Sequence, residues 1–463
     1  MNYISGNDTI AAIATPSGTG GLAVIRVSGP ESRSIVTEAW KGAKLTRVKS
    51  HTAHYGKYVS TAGETLDEAV ATVFLSPHSF TGEDTVEISV HGSSWIQREI
   101  LNDLIRRGAR MSNPGEFTQR AFMNGKMDLA QAEGVADLIA SSSKASHAMA
   151  LNQMKGTFSR ELEVLRQSLI DFASLMELEL DFSEEDVEFA NRKQLIELCD
   201  NILRKVGKMA DSYSKGRVLK EGVPVVIAGM PNAGKSTLLN LLLNDEKAIV
   251  TDIPGTTRDI IEDTMEINGV LYRFIDTAGI RETADEVEGI GVERAREAMG
   301  KAYIVIWVID SLADIVPQLE ELDKFKELHP QTNLIVLSNK NDSTSVSPGG
   351  RNGLKECETD TGIPFSAKTG QGMPQLISEL DKLTQGELNL KDDILVTNGR
   401  HYESLVKASE ALTRARQGLE EGISGDFIAQ EIREATHYLA TVTGEINTDT
   451  LLSTIFSRFC IGK

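Results

Sequence analysis

Cysteine is scarce in this chain, and the three present, Cys199, Cys357 and Cys460, lie far apart and in no metal-ligand spacing. That pattern excludes a disulfide framework and a clustered thiolate metal site, and it suits a reducing compartment. Long apolar runs are missing as well. The stretch Tyr303–Ile309 is among the longest, and it is far too short to cross a bilayer. The first residues, MNYISGNDTI, lack the basic-then-apolar pattern of a secretory leader. A cytoplasmic location with no membrane partner is therefore expected. Basic charge is in deficit, with 48 Lys and Arg against 67 Asp and Glu and a net charge of −19. Such a surface opposes indiscriminate nucleic-acid binding, so any RNA contact must use a small selected patch.

What is present divides by texture. Up to about residue 120 the chain reads as α+β: apolar runs at Leu22–Val27, Val70–Leu75 and Val86–Val90 are separated by Gly, Pro and Ser. From about 126 the pattern turns helical. Leu162, Leu165, Leu169, Phe172, Leu175 and Met176 recur at three- and four-residue steps and are expected on one face. Residues 223 to about 385 alternate strand and helix, the pattern of a mainly parallel sheet covered by helices. Beyond about 390, Tyr402–Gly418 and Asp426–Ala440 read as helices again. Helical segments on both sides of an α/β insert predict one helical domain interrupted by that insert. The predicted divisions are 1–122, 123–220, 221–386 and 387–463. Acidic Glu177–Glu188 reads as a solvated helix end or loop, and Ser343–Gly350 as a surface loop.

The chemistry is concentrated in the insert. Gly229–Thr237, GMPNAGKST, fits the phosphate-binding pattern G-x-x-x-x-G-K-[ST] and stands between an apolar strand and an apolar helix, the context that the motif requires. Its turn uses Gly229 and Gly234, with Asn232 and Ala233 between them, so that backbone N–H groups can wrap phosphates. Lys235 brings positive charge to the outer phosphates, the Ser236 hydroxyl suits Mg²⁺, and Thr237 completes the nucleotide-binding motif. Asp276-Thr277-Ala278-Gly279 ends the strand YRFID, where a carboxylate reaches the magnesium shell. Asn339, Lys340 and Asp342 end the strand NLIVLS; the aspartate can accept two hydrogen bonds from guanine, a donor array that adenine lacks. Ser366, Ala367 and Lys368 follow where base support is expected. Four collinear motifs predict GTP binding.

The residue after Gly279 is Ile280, which cannot hydrogen-bond to an attacking water. Arg281, Glu282, Asp285, Glu286 and Glu288 are the candidates for a substitute, and the residue types alone do not choose among them. The segment Thr251, Asp252, Ile253, Pro254, Gly255, Thr256 and Thr257 offers a second Mg²⁺ ligand in Thr257 and carbonyls suited to a monovalent cation.

Taken together the motifs resemble the potassium-activated GTPases, in particular the tRNA-modifying MnmE (TrmE) family, over the entire chain. The resemblance rests also on Gly18–Gly29 (GTGGLAVIRVSG), Phe80–Asp84 (FTGED), His91-Gly92, Pro114–Phe117 (PGEF), Lys126–Glu133 (KMDLAQAE) and the closing Phe459–Lys463 (FCIGK). It implies a folate-binding N-terminal α+β domain, a discontinuous helical domain and an inserted P-loop GTPase domain. It further implies a homodimer and a flavoprotein partner, MnmG (GidA), in a hetero-oligomer. Together the partners would modify carbon five of the tRNA wobble uridine with a one-carbon unit from 5-formyl- or methylene-tetrahydrofolate. By motif match, Asn232, Thr251, Ile253 and Thr256 would hold K⁺, Ser236 and Thr257 Mg²⁺, and Glu288 the attacking water. Arg26, Glu83, Lys126 and Lys463 would bind folate. Cys460 reads, by residue type, as a small buried hydrophobe; the resemblance makes it a candidate modification-site thiol. The competing reading is a ribosome-assembly GTPase switch that binds ribosomal RNA. Such proteins need neither a folate-type N-terminal domain nor an FCIGK ending, and the chain shows no appended basic RNA-binding domain.

Overall fold

The computed structural model describes residues 8–181, 192–243, 262–276, 299–300, 302–343, 362–385 and 394–462. They form two compact units, one of residues 1–136, 152–203 and 407–463, the other of residues 137–151 and 204–406.

In the first unit, β1 (Ile10–Ile13), β2 (Leu22–Ser28), β3 (Trp40–Gly42), β4 (Thr52–Val59), β5 (Thr65–Phe74), β6 (Thr85–His91) and β7 (Arg110–Met111) make a sheet ordered β3-β4-β5-β6-β2-β1-β7. Neighbours run antiparallel except β1 and β7. Because side chains alternate along a strand, Ala23, Ile25 and Val27 of β2 enter one core with Val86, Ile88 and Val90 of β6. The helices Ser32–Ala39 and Ser94–Arg106 cover that face through Ile35, Val36, Ile100 and Leu104. The alternate positions of β2, including Arg26, belong to the other face.

The helix Thr157–Asp181 packs along the helix Gly425–Thr443 in the same unit. Leu162, Leu165, Leu169, Phe172 and Met176 are buried, at steps of three and four. Leu175 is 37% exposed and departs from the expected stripe. It sits one position beside Met176, about 100° round the helix, which takes it off the buried face. Cys199 is buried, and loss of solvent pushes its thiol up to about 12, so it behaves as an inert apolar side chain. The helix Asp449–Phe456 closes the chain by setting Leu452 and Phe456 against Leu129 and Ala132.

The second unit contains the insert. β8 (Val223–Ala228), β9 (Glu262–Ile267), β10 (Val270–Asp276), β11 (Ile304–Asp310), β12 (Asn333–Asn339) and β13 (Ile363–Pro364) form a sheet ordered β13-β12-β11-β8-β10-β9. Every pairing is parallel except β9 with β10, as the alternating pattern predicts. β11 is buried at all seven positions, and a strand covered on both faces reads as a continuous apolar run. The helices Lys235–Leu243 and Met373–Gln385 cover one face through Leu238, Leu242, Leu376 and Leu380, and Val316–Leu328 covers the other through Leu322 and Phe325.

Beneath the second face of the first sheet lies an ionic network. Arg120 reaches Asp8 at 2.6 Å, Glu116 at 3.0 Å and Glu83 at 3.2 Å, and Arg110 bridges Asp8 and Glu116. Burial alone would raise the Glu116 carboxyl; hydrogen bonds from Arg110 and the Asn113 N–H, with the charge of Arg110 and a hydrogen bond from Arg120, outweigh it and hold the group below the carboxylate range. The stability this provides is therefore fully present above about pH 4.3 and is lost as acid protonates the group through its lower folded value. Replacing Glu116 by Gln should cost about 3 kcal/mol near pH 7. Thermal unfolding of both proteins from pH 7 to pH 3 should show the gap closing in acid; a gap independent of pH would contradict the assignment.

Candidate functional site

The carboxyl ends of parallel strands are where open α/β sheets bind ligands, and the predicted motifs arrive together at that edge. β8 ends at Ala228 and the chain turns through Gly229, whose φ is +136°. A Cβ there would lie 2.2 Å from the Val308 carbonyl oxygen, so glycine is required. Gly234, at φ +100°, faces the Asn339 amide so closely that a Cβ would sit 2.3 Å from its Nδ2. Asn232 adopts the left-handed conformation at φ +63°, which asparagine tolerates. Lys235 opens the following helix, and its buried ammonium donates back to the carbonyls of Gly229 at 3.0 Å and Met230 at 2.9 Å. Ser236 and Thr237 are exposed on the first turn of that helix.

The base-side motifs are tied to this loop by one side chain. Asn339 is 3% exposed; its Nδ2 donates to the Ala233 carbonyl at 2.7 Å and its Oδ1 accepts from the Ala367 N–H at 2.8 Å. Asp342 accepts a hydrogen bond from the Ser366 hydroxyl at 2.7 Å. Ser366 is buried and Lys368 exposed. Asp276 pairs with Ile227 in the sheet, which sets its backbone beside the strand that leads into the phosphate loop. Thr251, Asp252, Ile253, Pro254, Gly255, Thr256, Thr257, Thr277, Ala278, Gly279 and Glu288 lie outside the described residues, as do Arg281, Glu282, Asp285 and Glu286. Sequence reasoning missed Asp310 and Gln318. Asp310, the lone charged residue of β11, pairs with Lys340 at 2.6 Å and holds the Leu312 N–H at 3.0 Å. Its position at the end of an apolar strand was the available signal.

Of the residues expected to bind folate, Arg26 lies on the second face of the first sheet, and Glu83 and Lys126 are tied to the 77–84 loop. Arg26 pairs with Glu87, its cross-strand neighbour, at 2.9 Å. Its guanidinium carbon stands 5.3 Å from the Phe80 ring centroid and 5.5 Å from that of Phe117, within cation–π range. Its Nη1 also donates to the Gly462 carbonyl at 3.4 Å. Glu83 accepts from the Ser28 hydroxyl at 2.8 Å and from Arg120. Lys126 donates to the Pro77 carbonyl at 2.8 Å, at the base of the same 77–84 loop. The closing segment is held by backbone, since Gly115 N–H donates to the Cys460 carbonyl at 3.3 Å. The Cys460 side chain is exposed, which corrects its reading as a buried hydrophobe. Phe459, packed with Phe456, provides the apolar anchor instead. Lys463 lies outside the described residues.

A parallel sheet with a lysine-bearing glycine loop and an Asn-Lys-x-Asp strand end at one edge defines a P-loop GTPase. Two family models match consecutive parts of the chain: "GTP-binding protein TrmE N-terminus" over residues 9–126, and "MnmE helical domain" over residues 129–460. The chain belongs to the MnmE family of tRNA modification GTPases. It is 50% identical to the tRNA modification GTPase MnmE of Parabacteroides distasonis over 468 residues, covering 98% of this chain and all of that one. It is 49% identical to the Cytophaga hutchinsonii protein of the same name, covering 98% of each. Among solved structures, Aquifex aeolicus Era bound to GDP·AlF4⁻ is 28% identical and covers 41% of this chain and 66% of that one. The TM-score of that superposition is 0.27.

The packing around Gly234 gives a direct test. Gly234→Ala should displace Asn339 and lower guanine-nucleotide affinity by at least about tenfold, because a Cβ at a positive φ is strained and the buried amide bonds are disturbed together. Titration with a fluorescent GDP analogue measures it; unchanged affinity would contradict the close packing.

Proposed function

We propose that this GTPase is potassium-activated and that its hydrolysis cycle drives modification of carbon five of the tRNA wobble uridine. The observation that carries the reading is the convergence of Lys235, Asn339, Asp342 and Ser366 at one sheet edge. Lys235 neutralises the outer phosphates, Asp342 accepts from guanine while Ser366 holds its carboxylate, and Asn339 keeps the two ends of the pocket in register. Ser236 and Thr257 hold Mg²⁺, and Asn232, Thr251, Ile253 and Thr256 hold K⁺. These ions supply positive charge that offsets the negative charge on the phosphates. Glu288 orients the attacking water.

The reaction on tRNA belongs to the first unit in this reading. Arg26, backed by Phe80 and the buried Phe117, fits an anionic ligand such as 5-formyl- or methylene-tetrahydrofolate, whose carboxylates suit a cation. The Glu83 oxygens keep acceptor capacity beyond their bonds to Ser28 and Arg120, so the carboxylate is pre-oriented for ring N–H groups. Lys126 and Lys463 add charge, and exposed Cys460 is a thiol within the closing segment. Folate supplies the one-carbon unit when bound. We further assign a domain division at 1–122, 123–220, 221–386 and 387–463, a homodimer, an MnmG flavoprotein partner in a hetero-oligomer, tRNA as substrate and the cytoplasm as location.

Hydrolysis in matched KCl and NaCl buffers tests the cation assignment. The full chain should hydrolyse GTP at least about tenfold faster in KCl, since a cation beside the phosphates replaces an arginine finger. Asn232→Ala should lose that stimulation. Glu288→Ala should fall by about 10²-fold in either salt while retaining nucleotide. Equal wild-type rates in both salts would remove the potassium site.

A further inference from the structure

Asp310 does more in this fold than end a strand. It is 9% exposed, and its two carboxylate oxygens have separate partners. Oδ1 accepts from the Leu312 N–H at 3.0 Å, and Oδ2 takes the Lys340 ammonium at 2.6 Å. Its backbone is clamped by Gln318, itself 2% exposed. Gln318 Oε1 accepts the Asp310 N–H at 2.8 Å, while Nε2 donates to the Asp310 carbonyl at 3.0 Å and to the Asp314 carbonyl at 2.9 Å. A buried amide reaching from the helix Val316–Leu328 to both backbone groups of one residue leaves that residue little freedom. The carboxylate is thereby aimed at Lys340, which adopts a left-handed backbone at φ +69° between Asn339 and Asp342.

We propose that Asp310 is a positioning residue for the nucleotide base, acting through Lys340, with Gln318 as its support. The inference rests on reading Asn339–Asp342 as the guanine pocket. A lysine stem that must be ordered by the ligand loses its rotamer freedom on binding, whereas one already pinned at its ammonium has lost it beforehand. The short charge-assisted bond to a buried carboxylate provides the pin. The consequence falls on nucleotide affinity and residence time rather than on the chemical step, because Asp310 lies on the base side of the pocket. No sequence motif marks either Asp310 or Gln318.

The test is a double-mutant cycle in the full chain. Asp310→Asn preserves shape and the acceptor for Leu312 while removing the charge; Lys340→Met preserves the stem while removing the ammonium. Dissociation of a fluorescent GDP analogue and the kcat and KM of GTP hydrolysis are measured for both single variants and the double variant, with thermal unfolding as a check on folding. Asp310→Asn should speed GDP release and raise KM by about tenfold, with kcat within about twofold. In the Lys340→Met background the same change should add less than about twofold, because its route of action is gone. Unchanged release in Asp310→Asn, or an equal loss in both backgrounds, would overturn the inference while leaving the pocket reading intact. If Lys340→Met and Asp342→Asn both retain wild-type GDP release, the pocket reading fails and the role of Asp310 fails with it. Should Asp310→Asn unfold, Gln318→Glu, which loses the donors to the Asp310 and Asp314 carbonyls, replaces it with the same expected split.

Discussion

Asn339 uses both ends of its amide inside the protein, donating an N–H to the Ala233 carbonyl at 2.7 Å and accepting from the Ala367 N–H at 2.8 Å. Those two backbone groups belong to different loops, one leaving β8 and one leaving β13, separated in the sheet by β11 and β12. Among the described residues neither group has a backbone hydrogen bond, and leaving one unpaired in a buried position costs about 1–3 kcal/mol. A single amide therefore sets the spacing between the phosphate loop and the base loop. The requirement for glycine at 234 follows from it, because the amide occupies the space a Cβ would need. So does the placement of Lys340 and Asp342, which continue the chain from the pinned residue. The parallel sheet makes the arrangement possible by delivering Ala228, Asp276, Asp310, Asn339 and Pro364 to one edge.

Much of this was legible in the sequence because local patterns carried it. The alternation of apolar strands and helices between 223 and 385 predicts a mainly parallel sheet, and β8, β10, β11 and β12 form it. The glycine loop and the Asn-Lys-Asn-Asp string are short contiguous motifs whose physics is local. Asp310 was marked only by its place at the end of an apolar strand and Gln318 by nothing: their pairing joins a strand end to a helix eight residues on, and neither residue type is diagnostic alone. Leu175 departs from the periodic stripe, since a leucine one position off it points outward. In the first unit β1, β3, β4 and β7 escaped notice, being short or strongly polar on one face.

The N-terminal sheet and the closing segment show a different kind of dependence. Arg26, Glu83, Arg120 and Gly462 are distant in sequence and adjacent in the fold, through ion pairs and one backbone carbonyl. Cross-strand register sets Arg26 against Glu87, and the period of two sends both away from the apolar core. Within the ionic cluster Glu116, Arg120 and Glu83 are largely covered while Arg110 and Asp8 stay open to solvent, and the covered charges offset their desolvation cost only through their partners. The effect of the cluster is to fix the 77–84 loop and the turn before Phe117, the two sides of the Arg26 environment.

Asn339 makes one pocket of two loops. Removing it by Asn339→Ala and measuring GDP-analogue affinity alongside thermal unfolding tests that claim most directly. Two buried backbone groups left without partners predict a loss of nucleotide affinity of at least about 100-fold, with a lowered but still cooperative unfolding transition. Affinity within about twofold of wild type would show that the loops hold their spacing without the amide, and the account would be wrong.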